Sequence, residues 1–181
     1  MSIESYAKDL KAALHQYPNF PSEGILFEDF LPIFREPQLF QKLVEAFKMH
    51  LEETFTEKKV DYIVGLESRG FLFGPSLALA WASALSQLEK LAVYEKEYGS
   101  DEFEMQKHAI PAGANVVIVD DIIATGGSAG AAEELIKKIG ANVLEYDFVM
   151  ELDFLKGRDK LNAPVFTLLS SQKEALQKPS A

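Results

Sequence analysis

The sequence predicts an α/β fold, in which a three-layer, mostly parallel twisted sheet carries helices on both faces. Short, largely apolar runs are typical of strands buried on both faces, and such runs lie at 62–66, 116–119, 143–152 and 164–169. Segments with apolar residues at helical spacing lie between these runs, which is the alternation expected of a parallel sheet with crossover helices. The chain has 181 residues, a length that suits one domain, so we expect residues 1–181 to form a single domain.

The first 30 residues predict one helix followed by an irregular segment. Ser2 is a candidate N-cap, and the apolar residues after it repeat at helical spacing. These residues are Ile3, Tyr6, Leu10, Ala13, Leu14 and Tyr17. Prolines and a glycine then interrupt the pattern, so we expect residues 18–30, PNFPSEGILFEDF, to be irregular and rich in aromatic side chains.

Further helices are predicted between the strands. Pro37 is a candidate first residue of a helix, and a second helix is expected from Phe71. A third is expected over 128–139, where Gly140 is placed to end it. Residues 170–181 are polar, and we expect them to form a tail.

The composition excludes several classes of protein. The net charge of -10 argues against nucleic acid as a partner, because phosphate backbones need clustered Lys and Arg. The absence of cysteine excludes disulfides, thiolate nucleophiles and zinc–thiolate sites. No apolar run approaches the roughly 18 residues that span a membrane, and the start, MSIESYAKDL, lacks the features of a signal peptide. We therefore expect a cytoplasmic protein with no nucleic-acid partner and no membrane partner.

An acidic strand end followed by a glycine-containing turn is the strongest functional signal. Asp120 and Asp121 end the apolar run at 116–119, where ligands of parallel sheets bind. The turn 124–128, ATGGS, then opens a helix, and its backbone N–H groups and hydroxyls suit a phosphate. The acids suit vicinal hydroxyls, so the whole string predicts a ribose 5-phosphate site. A turn that the two acids merely cap is the plain alternative, which the length of the string 116–129 disfavours.

This string resembles the signature of the type I phosphoribosyltransferases, an apolar strand followed by two acids and ATGGS or ATGGT. The resemblance implies that Asp120 and Asp121 bind the ribose hydroxyls. It also implies that the turn holds the 5-phosphate through Ala124, Thr125, Gly126, Gly127 and Ser128. Mg²⁺ is expected to arrive with the pyrophosphate of the sugar, so no metal ligand is assigned to the protein.

The loop at 67–70 also follows a predicted strand, so we expect it to lie at the same edge of the sheet as the acids. Arg69 suits the pyrophosphate, because a guanidinium makes bidentate hydrogen bonds to phosphate oxygens. We assign pyrophosphate binding to Glu67, Ser68 and Arg69. Arg69 is also assigned a catalytic role, the stabilisation of charge on the leaving pyrophosphate.

Three further motifs, GILFEDF, GLESRGFLFGP and YEKEYGSDEFEMQKHAI, closely resemble the adenine phosphoribosyltransferase family, and most of all its fungal members. The resemblance implies the conversion of adenine and 5-phosphoribosyl 1-pyrophosphate to AMP and pyrophosphate in purine salvage. It implies adenine binding by Leu26 and Phe27, and it makes Glu97 the catalytic acid that handles the proton on N7 of the base. It also implies a small N-terminal hood at 1–35 that covers the base, and a homodimer.

Residues 81–93 depart from that family, which has an apolar strand and a basic lid loop there, similar to LGVGFVPVRKAGKLP. The spacing of Trp81, Leu85, Leu88 and Leu91 predicts instead a continuation of the preceding helix. One coding of LGVGFVPVRKAG, read one nucleotide further along, translates as WASALSQLEKLA, which is identical to residues 81–92. A shift of reading frame is therefore our hypothesis for this segment.

The departure supports an alternative, a catalytically silent or regulatory relative, because loss of the strand and the lid predicts weak binding and slow turnover. A DNA-binding regulator of the same fold is disfavoured by the acidic charge and the lack of a helix-turn-helix. A substrate base other than adenine remains an open alternative. His15, His50 and His108 have no visible partners, so we expect them to be structural or solvated.

Overall fold

The computed structural model describes residues 2–20, 23, 26–85, 90–96, 103–105 and 109–172. In chain order the helices are α1 (Ile3–Ala12), α2 (Pro32–Arg35), α3 (Pro37–Thr54), α4 (Gly70–Leu85) and α5 (Gly127–Lys138). The strands are β1 (His15–Pro18), β2 (Leu26–Asp29), β3 (Tyr62–Gly65), β4 (Lys90–Lys96), β5 (Phe103–Met105), β6 (Asn115–Ile123), β7 (Asn142–Leu152) and β8 (Val165–Gln172). Two 3₁₀ turns, Asp153–Leu155 and Gly157–Lys160, follow β7.

The main sheet has the strand order β5-β4-β3-β6-β7-β8. Strands β4, β3, β6, β7 and β8 run parallel, and β5 pairs antiparallel with β4 at one edge. The predicted mostly parallel sheet is confirmed. Because β3 and β6 are neighbours in the sheet, the loops that follow them meet at one edge.

Helices cover both faces of the sheet, so the predicted three layers are also confirmed. Val117 and Val119 of β6 belong to one apolar cluster, which includes Phe47 of α3 and Trp81 of α4. The alternate residues of β6 belong to a second cluster, which includes Ile136 of α5. This alternation follows from the two-residue side-chain period of a strand.

The N-terminal region contains a hairpin that the sequence did not predict. Ser2 caps α1 as expected, with Ser5 N donating to Ser2 Oγ at 3.3 Å. The helix ends at Ala12, and Tyr17 lies instead in β1, which pairs antiparallel with β2. The prediction of helical spacing to Tyr17 was therefore wrong, as was the prediction of an irregular segment over all of 18–30. Backbone pairing between the two strands outweighs the helical pattern of the side chains.

The structure corrects the expectation for residues 81–93. Helix α4 ends at Leu85, and β4 begins at Lys90 and pairs parallel with β3, from Tyr62↔Lys90 to Gly65↔Val93. Leu91 is therefore in a strand, and the predicted loss of the family's strand was wrong. Pairing satisfies backbone groups along β3 that a longer helix α4 would leave unpaired beside a buried strand.

The remaining boundaries lie close to the predicted ones, with two differences. Helix α5 begins at Gly127 and ends before Gly140, which has φ of +80°. Strand β6 runs to Ile123 and β8 to Gln172, so each is longer than predicted, and residues 170–172 are not part of a tail. Among the helices in the described part of the chain, none is long and apolar enough to cross a membrane.

Candidate functional site

Strand β6 holds the two acids that the sequence predicts to bind ribose. Asp121 is 4% exposed, and Asp120 beside it is partly buried. The backbone N–H of Asp121 donates to Asp120 Oδ1 at 2.9 Å. Arg69 Nε lies 2.8 Å from Asp121 Oδ2, across the edge of the sheet. The structure therefore brings together the acids and the arginine that the sequence placed at the ends of two different strands.

The pKa values of both acids are raised. Burial raises the pKa of Asp120 well above its ordinary range, and the neighbouring charge of Asp121 raises it further. Burial also raises the pKa of Asp121, although the Arg69 guanidinium opposes that rise. A cationic or hydroxyl-bearing ligand would therefore meet groups that the protein alone stabilises poorly in their charged form.

Stability should respond to Asp120 in a pH-dependent way. Because the folded state holds the proton more tightly than the unfolded state, stability falls as pH rises above the unfolded pKa, about 3.9. We expect Asp120→Asn, which keeps the acceptor for Asp121 N–H, to raise Tm at pH 8 by about 2–4 °C, the shift that ~1 kcal/mol produces at this size. Differential scanning calorimetry at pH 8 and pH 5 should show the smaller gain at pH 5. A variant less stable than the parent at pH 8 would refute this interpretation.

The turn at 124–128 is held against a second loop. Gly126 has φ of +77°, and a Cβ added to it would lie 2.4 Å from Gly157 O. Gly126 O accepts the N–H of Gly130 at 2.9 Å, which begins the hydrogen bonding of α5. Thr125, Gly127 and Ser128 are exposed. The turn therefore presents hydroxyls and the start of a helix to solvent, an arrangement that suits an anion.

The loop after β3 is anchored to β6. Leu66 N donates to Val119 O at 3.1 Å, directly before the acids. The Glu67–Ser68 peptide bond is cis, and Leu72 N donates to Arg69 O at 3.0 Å as α4 begins. Ser68 and Arg69 are exposed, with the Arg69 side chain 49% exposed, so the guanidinium can reach a ligand from its place on Asp121.

The residues predicted to bind the base lie in the hairpin. Leu26 and Phe27 belong to β2 and are both partly exposed, and the ring of Phe20 lies 5.3 Å from that of Phe27 in an edge-to-face arrangement. Glu28, to which we assign no ligand role, is buried and accepts a hydrogen bond from Gln16 Nε2 at 2.7 Å. Glu97, the predicted catalytic acid, lies outside the described residues.

Two polar groupings escaped the sequence-based prediction. Arg158 pairs with Glu151 near the turn at 124–128, at a cavity of about 470 Å³ lined also by Asp153, Lys156, Asp159 and Thr167. His50, for which no partner was visible in the sequence, lies 3.1 Å from Glu145. The available signal was the pair of acids at alternate positions of an otherwise apolar strand, EYD at 145–147.

Comparisons with known proteins agree with this geometry. Residues 32–180 match the family described as Phosphoribosyl transferase domain. Adenine phosphoribosyltransferase 1 of Saccharomyces cerevisiae is 72% identical over 187 aligned positions, covering 98% of this chain and 100% of that protein. The adenine phosphoribosyltransferase of Eremothecium gossypii is 68% identical, covering 97% of this chain and 99% of its own.

Solved structures give the same result. An adenine phosphoribosyltransferase from Saccharomyces cerevisiae, solved with adenine and an imino-altritol bisphosphate, matches with a TM-score of 0.85 and 68% identity over 92% of this chain and 99% of that one. A more distant structure, the adenine phosphoribosyltransferase of Rhodothermus marinus, matches with a TM-score of 0.73 and 36% identity, covering 93% of this chain and 99% of that chain.

Proposed function

This chain belongs to the adenine phosphoribosyltransferase family, and from that premise we propose that it converts adenine and 5-phosphoribosyl 1-pyrophosphate to AMP and pyrophosphate in purine salvage. The observation that carries the proposal is the ion pair of Arg69 with Asp121, next to the partly exposed turn at 124–128. It supports a single site in which the turn at 124–128 binds the 5-phosphate of the sugar and Arg69 binds its pyrophosphate.

The sugar phosphate binds at the edge of the sheet where β6 ends. Asp120 and Asp121 accept hydrogen bonds from the ribose 2- and 3-hydroxyls, and the turn at 124–128 donates its N–H groups and hydroxyls to the 5-phosphate. The described geometry supports these roles, because the acids and the turn are consecutive at the end of one strand. Fixing both ends of the ribose ring holds its C1 in place for attack by the base.

Charge on the leaving pyrophosphate is stabilised from the loop after β3. Arg69 moves from the carboxylate of Asp121 toward the pyrophosphate, with Glu67 and Ser68 completing that side of the site. The Mg²⁺ that travels with the substrate supplies further positive charge to the departing oxygens. The bond from C1 to pyrophosphate breaks as the bond to N9 of adenine forms, through a transition state with oxocarbenium character that the two acids stabilise.

The base is bound from the N-terminal region. Residues 1–35 form a hood in which Phe27 stacks on the purine and the backbone of Leu26 reads its polar edge. Glu97 accepts the proton from N7 as N9 attacks, an assignment that rests on the EYG motif in which it lies. A homodimer and a cytoplasmic location belong to the same proposal and rest on the family resemblance and the composition.

Phe27→Ala should raise KM for adenine about tenfold, because stacking of a base on an aromatic ring contributes roughly 1–3 kcal/mol. KM for phosphoribosyl pyrophosphate should stay within about twofold of the parent value, since the sugar site lies at the sheet edge. Phe27→Tyr is the matched control, because it keeps the aromatic face and should keep KM for adenine. Initial rates measured against each substrate separate the two constants, and equal KM for adenine in Phe27→Ala and the parent would remove Phe27 from the base site.

Steady-state assays with a panel of bases test the proposed function. With Mg²⁺ and phosphoribosyl pyrophosphate, we expect AMP from adenine and no nucleotide from guanine, hypoxanthine or orotate. One argument for a silent relative was the loss of a strand from residues 81–93, and β4, which pairs with β3, removes that argument. No comparison favours the silent relative. The other argument, the missing basic loop, stays a prediction. Absence of AMP while the protein still binds the sugar pyrophosphate would overturn the enzymatic function and favour the silent relative.

A further inference from the structure

A buried polar cluster lies beneath α3, away from the groups that the transfer reaction uses. Glu145 and Asp147 are alternate residues of β7, so their side chains share one face of the sheet. His50 of α3 faces them, with Nε2 at 3.1 Å from Glu145 Oε2 and 3.9 Å from Asp147 Oδ1. Phe166 of β8 stacks on the imidazole at 3.6 Å between ring centroids and 8° between ring planes, which fixes its orientation.

The two carboxylates are poorly compensated. Asp147 is 0% exposed, and neither of its carboxylate oxygens has a hydrogen-bond partner among the described residues. Glu145 is 6% exposed, and His50 is the basic side chain that faces both acids within the described part of the chain. A buried carboxylate without a partner is costly, so the cluster favours an occupant with more than one positive charge.

We propose that His50, Glu145 and Asp147 bind a divalent transition-metal ion of the zinc type, at a structural site separate from the phosphoribosyl site. One oxygen from each acid and one imidazole nitrogen lie within 4.8 Å of one another. Ligand atoms around a tetrahedral Zn²⁺ lie about 3.4 Å apart, given bonds of about 2.1 Å. The separations of 3.1 and 3.9 Å from the imidazole nitrogen to the two carboxylate oxygens are close to that value.

The ligand set selects the kind of ion. An imidazole with two carboxylates suits Zn²⁺ better than Mg²⁺, which prefers oxygen ligands and keeps its waters. Glu145 also lines a cavity of about 360 Å³ between the end of α3 and the start of β8, bordered by Thr54, Leu144 and Pro164. Of the three proposed ligands only Glu145 lines this cavity, so a water molecule serving as the fourth ligand would enter from the side of Glu145.

Equilibrium dialysis of the full chain against Zn²⁺, with metal counted by mass spectrometry and no substrate present, tests the proposal. We expect one Zn²⁺ per chain and a rise in Tm that grows with Zn²⁺ concentration. Mg²⁺ at the same concentration should produce neither. Asp147→Asn and Glu145→Gln each keep the shape of the side chain and should weaken Zn²⁺ binding by at least about a hundredfold, since even an outer-sphere change costs 10–100-fold.

Two controls keep the result specific. Asp61→Asn removes a partly buried acid elsewhere and should bind Zn²⁺ as the parent does. The double variant Asp120→Asn with Asp121→Asn should also keep the ion, which separates this site from the sugar site. A thermal unfolding transition measured without metal tests whether each variant folds. If Asp147→Asn does not fold, Zn²⁺ binding by Glu145→Gln tests the proposal instead. Failure of the parent to bind Zn²⁺, or loss of Zn²⁺ only in the Asp120 and Asp121 variant, would overturn the proposal.

Discussion

Replacing Asp120 and Asp121 together with asparagine should lower kcat/KM for phosphoribosyl pyrophosphate about a thousandfold. Each carboxylate is proposed to accept a hydrogen bond from a ribose hydroxyl and to stabilise the positive charge of the transition state. Asparagine keeps an acceptor oxygen but loses the charge, and removal of such electrostatic stabilisation costs about 10²–10³ in rate. The substitution also leaves Arg69 without the carboxylate that lies 2.8 Å from its Nε, so the guanidinium is no longer held at the edge of the sheet before the substrate binds. Initial rates at varied sugar pyrophosphate, with adenine saturating, give the constant directly.

Asp61→Asn is the matched control for the double variant. Asp61 is a partly buried acid next to β3, where it accepts a hydrogen bond from Asn115 N at 3.0 Å. Asn115 begins β6, so this control acts at the opposite end of the strand that carries the acidic pair. We expect lower stability and an unchanged KM in Asp61→Asn. A double variant that keeps kcat/KM within about threefold of the parent would contradict the assignment of the ribose site.

Gly126→Ala should raise KM for phosphoribosyl pyrophosphate by about a hundredfold. The new Cβ would lie 2.4 Å from Gly157 O, so the turn must move away from the loop behind it. Movement of about 1 Å at a positioned site is enough for such a loss. The variant should also lose stability by roughly 1–3 kcal/mol, because a residue other than glycine is strained at φ of +77°.

Gly113→Ala separates displacement of the turn from backbone strain. Gly113 has φ of +83°, close to that of Gly126, but a Cβ added there meets nothing within 4 Å. We therefore expect a similar loss of stability from strain and no change in KM. Tm measurements and initial rates on both variants give the comparison. An equal rise in KM for the two variants would mean that strain acts at a distance and that the contact with Gly157 is unimportant.

The groups that share one stretch of sequence were predictable, because consecutive residues need no tertiary information. Asp120 and Asp121 lie near the end of β6 and the turn follows it. The rule that parallel strands end at a common edge then predicted that Arg69 lies beside them. The observed ion pair between Arg69 and Asp121 agrees with that reasoning. The cap of α1 by Ser2 was likewise local, since it depends on residues three apart.

Features formed by distant segments were missed. The start of strand β4 was predicted as helix, because the leucines before it and within it follow helical spacing. The pairing of β4 with β3, which overrides that spacing, is not visible in the sequence. The hairpin was missed because Tyr17 continues the spacing of α1, although its backbone pairs with Phe27. His50 and Glu145 are 95 positions apart, and only the packing of α3 on β7 brings them together.

A crystal structure of the chain with AMP tests the central claim most directly. We expect the 5-phosphate within hydrogen-bond distance of the backbone N–H groups of the turn at 124–128. We expect the ribose hydroxyls on Asp120 and Asp121, and the adenine ring against Phe27. A phosphate bound instead at Arg158, in the neighbouring cavity of about 470 Å³, with the acidic pair free of ligand, would contradict the account.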